Sequence, residues 1–237
     1  MWPPYHKARP LPVFYQKASA FFGPLAAEIA ASRLPLFPYP VEGQDPWVAL
    51  PCLRPLDFAG MVLEEALPPP EGMRLEAEAA RAGLVDLVVP GALGPVGHYT
   101  EGLALDRLLS SFFPGAKALW LGPLRPGLAP FLRALGQVSV AAGSFAEGDS
   151  FLARLPERAR GPVALRPEEV NALALKADLL LFAGGRLPLG LLQPFHALLA
   201  LAPVEPGVRE RVLEVHGPET LLDFRAKAVL EALGYAS

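Results

Sequence analysis

Four short, mainly apolar runs constrain this chain more than any other feature: LVDLVV (Leu84–Val89), AKALWL (Ala116–Leu121), ADLLLFA (Ala177–Ala183) and ALLALA (Ala197–Ala202). Each is far shorter than the roughly 20 apolar residues that span a bilayer. Each also lacks the in–out alternation of a strand with one wet face. Strands of this kind are covered on both faces, which is the condition of a mostly parallel sheet. Segments with helical spacing fall between them, so the chain reads as the alternating strands and helices of an α/β fold.

The other elements follow from the same periodicities. Leu11–Tyr15 is a strand, followed by a helix over Ala18–Ser32. Leu36–Val41 is expected at a sheet edge, because its prolines forbid a central position. Phe58–Leu63 is a further strand, and Glu71–Ala82, rich in Ala and Glu, a helix. Thr100–Phe112 places apolar side chains at Leu103, Leu105, Leu108 and Leu109, with Thr100 as N-cap. A helix over Pro126–Leu135 is expected to join the Ala116–Leu121 strand to one over Val138–Ala142, completing a βαβ unit. Thr220–Leu233 is a closing helix, with Gly234 just past its end.

Composition removes several function classes. With 52% hydrophobic and 19% charged residues the chain is globular. A net charge of −3 and the lack of any Lys/Arg cluster leave no electrostatic footprint for nucleic acid. The segment MWPPYHKARP has no apolar core of a signal peptide. The most apolar stretch, Leu187–Val204, is broken by Pro188, Gln193, Pro194 and His196 and is no membrane span. Cys52 stands alone, which excludes an internal disulfide and a thiolate metal cluster. A cytoplasmic protein is expected. Arg outnumbers Lys 16 to 5, prolines number 28 and Asn171 is the single asparagine, a thermophile-like composition.

The segment Gly97–Gly102, GHYTEG, resembles the G-Y-N-T-D-G segment of the shikimate dehydrogenases. Its surroundings match in order. Phe58-Ala59-Gly60 and the strand after it resemble the family's F-x-G-x-N-V-T-x-P-x-K segment, and Gly83–Val89 its G-A-V-N-T-V-V strand. Gly115–Gly127 resembles the strand and turn of its nucleotide domain, and the last helix its C-terminal helix. The resemblance implies two domains: residues 1–103 with 218–237 as a substrate-type α/β domain, and 104–217 as a Rossmann-like domain.

The residues of the family's chemistry do not carry over. That chemistry moves a hydride between NADP and shikimate, with a Lys and an Asp as acid and base. Pro68 stands at the lysine position, and no lysine occurs between Lys17 and Lys117. Glu101 stands at the aspartate position. The S-x-S-P element of the family matches Phe21–Pro24, without either hydroxyl. Val62 and Asp86 match its two substrate asparagines, Glu64 its threonine, Tyr99 the asparagine before T-D, and Phe224 the glutamine of the last helix. A polyhydroxylated carboxylate needs buried hydrogen-bonding partners, and these positions have become apolar or acidic.

The turn GPLRPG is a degenerate nucleotide motif by the physics of the turn itself. In G-x-G-x-x-G the second glycine lets pyrophosphate reach the backbone. Here Gly122 and Gly127 hold the first and third places while Leu124 holds the second. Pro123 and Pro126 each remove an N–H donor. Arg125 is a possible anion contact, its plainer reading a solvated loop arginine. The N-R-T that meets the NADP 2′-phosphate is replaced by Ala142, Gly143 and Ser144, with no acidic residue there to favour NAD. No cofactor is expected, and exchanging Leu124 for Gly with Pro126 for Ala should restore some affinity for a dinucleotide.

Weaker candidates remain. His98 and Glu101 would flank the cleft of such a protein as an acid/base pair, or serve structure alone. The four histidines have no metal-ligand spacing. Glu64 and Glu65, with Glu71, Glu76 and Glu78, read most simply as a solvated helix face. The expectation is a non-catalytic binding or regulatory relative of shikimate dehydrogenase, with an unknown small molecule or a protein as partner. The alternative is a divergent NAD(P)-dependent oxidoreductase using Glu101 on a shikimate-like or other small acid.

Overall fold

The computed structural model describes residues 8–235; His6 and residues 1–7 of the N-terminal segment lie outside them. Residues up to Ala104 together with those from Leu222 form one compact unit, and Leu105–Leu221 form another.

The sheet of the first unit contains β1 (Arg9–Tyr15), β2 (Leu36–Glu42), β3 (Met61–Leu67), β4 (Arg74–Leu75), β5 (Val85–Gly91) and β6 (Gly94–His98). Its spatial order is β2-β1-β3-β5-β6-β4. The first three neighbours run parallel, while β5 is antiparallel to both β3 and β6. Strand β2 is indeed an edge, pairing with β1 alone. Leu25 and Ile29 of α1 (Phe22–Ala31) pack with Ala226 and Val229 of α6 (Pro218–Ala232) against Leu11, Val13 and Leu87 of the sheet. Each such fully buried Leu or Val contributes about 1.5–3 kcal/mol relative to its exposed state.

Two expectations fail in this unit. The Glu71–Ala82 stretch is helical only over α2 (Ala77–Ala82), because its first half is extended in β4. Glu76 N donates to Gly97 O at 2.9 Å, a ladder contact that overrides the local helix preference. The strand expected over Phe58–Leu63 starts later, at Met61, since Phe58 and Ala59 are held by turn and loop hydrogen bonds to Leu53 O and Pro10 O.

The second unit holds β7 (Lys117–Leu121), β8 (Gln137–Ala141), β9 (Arg160–Ala164), β10 (Leu179–Phe182), β11 (Ala197–Ala200) and β12 (Glu214–His216). All six strands are parallel, in the order β12-β11-β10-β7-β8-β9. This is the doubly wound Rossmann order, with its reversal between β7 and β10. The apolar runs are its central strands: Leu119, Trp120, Leu180, Leu181, Leu198 and Leu199 are all fully buried. Helix α4 (Phe145–Leu152) joins β8 to β9, and α5 (Pro167–Ala174) joins β9 to β10.

The first crossover is different. Between β7 and β8 the expected helix over Pro126–Leu135 is absent, and the chain forms only a 3-10 turn at Ala129–Phe131. Pro126, Gly127 and Pro130 explain the failure: the prolines lack donors and the glycine costs about 1 kcal/mol in a helix. Leu128, Phe131 and Leu132 are nonetheless completely buried, so an irregular segment covers the sheet where a helix was expected.

Candidate functional site

Asp86 breaks the apolar run of β5 and is completely buried. Its Oδ1 accepts from Thr100 N (2.6 Å) and Thr100 Oγ1 (3.0 Å), and its Oδ2 from Glu101 N (2.8 Å). The start of α3 (Thr100–Phe112) is therefore capped by a carboxylate from a neighbouring strand, and Thr100, expected as the cap, lies inside the helix. A negative charge there is favoured by the helix dipole and the free N–H groups.

Arg225 of α6 completes the arrangement. Its Nε lies 3.3 Å from Asp86 Oδ2, and its other two nitrogens donate to Leu63 O (2.6 Å) and Glu64 O (3.0 Å). The guanidinium rests over the Phe21 ring, 4.3 Å from its centroid. Burial pushes the Asp86 carboxyl above the ordinary carboxylate range, while the Arg225 charge and the two backbone donors draw it back. Beside it, Glu64 accepts from Ala20 N (2.9 Å), Phe21 N (3.0 Å) and the Ser19 hydroxyl. The backbone donors ahead of α1 are thus occupied by an internal carboxylate.

Of the three residues singled out around the GHYTEG segment, the structure joins two. Tyr99, almost wholly buried, donates from its hydroxyl to Glu101 Oε2 at 3.3 Å. His98 instead places Nδ1 3.2 Å from Glu78 Oε1. Burial alone raises the Glu78 carboxyl; the hydrogen bond and charge of His98, with Arg81 nearby, hold it below its ordinary value. Glu78 is therefore a paired, largely covered side chain and not the solvated one expected from its helix.

In the second unit the GPLRPG turn is shaped by packing. Gly122 has φ +90°, and a Cβ there would stand 2.3 Å from Gly184 O. Trp120 Nε1 donates to Pro123 O at 3.0 Å, tying the turn to the core. Leu124 and Arg125 are half-buried and Gly127 is buried. Arg125 is engaged within the chain and is not the free loop cation expected. The crossing of β7 into a helix N-terminus, where pyrophosphate finds its donors, does not exist here. Exchanging Leu124 for glycine and Pro126 for alanine would leave the 3-10 turn at Ala129–Phe131 in place of a helix.

Beyond the carboxyl ends of β7, β8 and β9 lies a cavity of about 670 Å³, within the range of small-molecule sites. Its position at the switch point of the sheet is where open α/β folds bind ligands. Its walls include Gly122 and Ala142, two positions of the degenerate nucleotide motif, while Ala141, Ala164 and Val170 differ in nothing from ordinary core residues. No three His, Cys, Asp or Glu side chains come together as metal ligands among the described residues, and no helix among them is long and apolar enough to cross a membrane.

A Rossmann-like sheet in one unit and a mixed sheet packed by the returning C-terminal helix in the other match the two-domain fold of the shikimate dehydrogenases. Among solved structures, the chain is similar to shikimate 5-dehydrogenase from Listeria monocytogenes, crystallised with shikimate and NAD, at a TM-score of 0.76 and 12% identity over 97% of this chain and 92% of that one. Mycobacterium tuberculosis shikimate dehydrogenase gives 0.75 and 16% over 97% and 95%. Quinate dehydrogenase from Corynebacterium glutamicum, in complex with NAD, gives 0.72 and 18% over 95% and 93%. At these identities the likeness is one of fold. No protein-family model matches the sequence, and no curated protein matches it significantly.

Proposed function

We propose that this chain is a non-catalytic binding or regulatory relative of the shikimate dehydrogenases. The observation that carries the reading is the missing helix after β7: the Rossmann sheet is intact, but the element that receives pyrophosphate is a 3-10 turn behind two prolines. The first unit supports it independently. Asp86 is held by Thr100, Glu101 N and the Arg225 charge, and Glu64 by Ser19 and the backbone ahead of α1, which leaves both carboxylates committed to the fold. Pro68 stands at the resemblance's lysine position, and no lysine occurs between Lys17 and Lys117.

Calorimetry with NADP and NAD to millimolar concentration tests this directly. The expected outcome is no saturable binding, because each lost charge-assisted hydrogen bond removes about 1.5–3 kcal/mol. The variant Leu124→Gly with Pro126→Ala is expected to behave as the parent. Micromolar binding of either dinucleotide, or shikimate-dependent reduction of NADP at about 1 s⁻¹, defeats the proposal and restores the oxidoreductase reading.

A further inference from the structure

We infer that the cavity at the carboxyl ends of β7, β8 and β9 binds a small organic monoanion with a flat, apolar body, such as an aromatic carboxylate or sulfonate, with Arg186 as its charge partner. The inference rests on the non-catalytic binding reading and gives that reading a ligand class.

Three observations lead to it. The lining contains no acidic residue, while two arginines, Arg166 and Arg186, stand in it. They are not equivalent. Arg166 is spent on Glu169, with Nε and Nη2 at 2.9 Å and 2.5 Å from Oε1, and the same carboxylate caps α5 through Leu165 N. Arg186 is exposed and makes no hydrogen bond or ion pair among the described residues. The cavity therefore offers one uncommitted positive charge, which selects a single negative charge.

The walls decide the rest of the ligand. Leu121, Ala142, Ala164, Val170, Pro188 and Leu191 present mainly hydrocarbon, and small side chains at the strand ends leave the space open. Asn171 is the one uncharged polar side chain in the lining. A sugar or polyol in this space would lose water hydrogen bonds without replacement. An aromatic body loses none and gains burial of its faces. A dinucleotide fails here because its second phosphate has no donor, the helix after β7 being absent.

The test is fluorescence titration of the full chain with anilinonaphthalene sulfonate, an aromatic monoanion that brightens in apolar sites, with naphthoate as competitor. One saturable site, displaced by naphthoate, is the expected result. Arg186→Gln, on an exposed and unpartnered side chain, is expected to weaken binding about tenfold or more, the loss of one charge-assisted contact. Ala142→Phe is expected to fill the cavity and abolish binding. Should Ala142→Phe not fold by circular dichroism, Arg186→Gln and the competition decide alone. Absence of saturable binding, or equal affinity in parent and Arg186→Gln, overturns the inference. Failure here together with calorimetric silence toward NADP and NAD removes this ligand and leaves the non-catalytic reading standing, whereas micromolar dinucleotide binding removes both.

Discussion

A charge sealed inside a strand is the residue-scale feature that most shapes this protein. Asp86 sits in the apolar run of β5 and is tolerable only because Thr100, Glu101 and Arg225 surround it. Asp86→Ala leaves the Arg225 guanidinium buried without its partner and uncaps α3. We expect a loss of about 3–5 kcal/mol in urea unfolding, and less than additive loss when Arg225→Met is combined with it. An unchanged midpoint would contradict the network. The run LVDLVV already signals that its acid must have a partner, because unpaired carboxylates are almost never fully buried. Nothing in the sequence says that the partner is Arg225, which lies on the last helix. Gly122 teaches the complementary lesson. It matches the first glycine of a nucleotide motif, yet its φ of +90° and its approach to Gly184 O are demands of the fold. Gly122→Ala is expected to cost about 2–3 kcal/mol in thermal or urea unfolding, since left-handed backbone strain alone accounts for 1–3.

At the scale of elements, the strands were the legible part. Their apolar runs are long enough to be unambiguous, and β5, β7, β10 and β11 lie where those runs lie. Short amphipathic pieces were not: α4, α5, β9 and β12 escaped because charged residues and few turns give too little periodicity. The helix wrongly expected over Pro126–Leu135 shows the opposite error, since its apolar spacing is real but serves burial of Leu128, Phe131 and Leu132 by a 3-10 turn. Helix α5 begins with a capping box in which Glu169 accepts from Leu165 N, Arg166 N and the Arg166 side chain. The Leu165 N–H, together with Arg166, lowers the Glu169 carboxyl from 4.5 to about 2. A depressed carboxylate stabilises above its unfolded value and loses that contribution as pH falls. The start of α5 should therefore loosen between about pH 4.5 and pH 2. Carbon-detected NMR of the carboxyl group is expected to place its midpoint near the lower end. A midpoint at an ordinary glutamate value would show that the cap does not form.

For the whole molecule, the decisive feature is the return of α6 to the first unit. Ala226, Val229 and Leu230 belong to the same apolar cluster as Leu11, Val13 and Phe21. A chain ended after Leu221 is expected to lose hydrogen-exchange protection at β1, β3 and β5 while β7, β8 and β10 retain theirs. Equal protection in both sheets would show that α6 is dispensable. The resemblance to shikimate dehydrogenases made this return legible in outline. The site was less so: Gly122 and Ala142 mark two of its walls as motif positions, but Ala164, Val170 and Pro188 join them only once three strand ends are brought together.

The same return sets an order of events during synthesis. A ribosome releases the strands of the first unit early, but the helix that closes their core emerges only after the entire Rossmann unit has been made. At roughly 5–20 residues per second that interval is on the order of ten seconds. The part translated first is therefore finished last, and for that time its apolar sheet face must be sheltered by something other than α6.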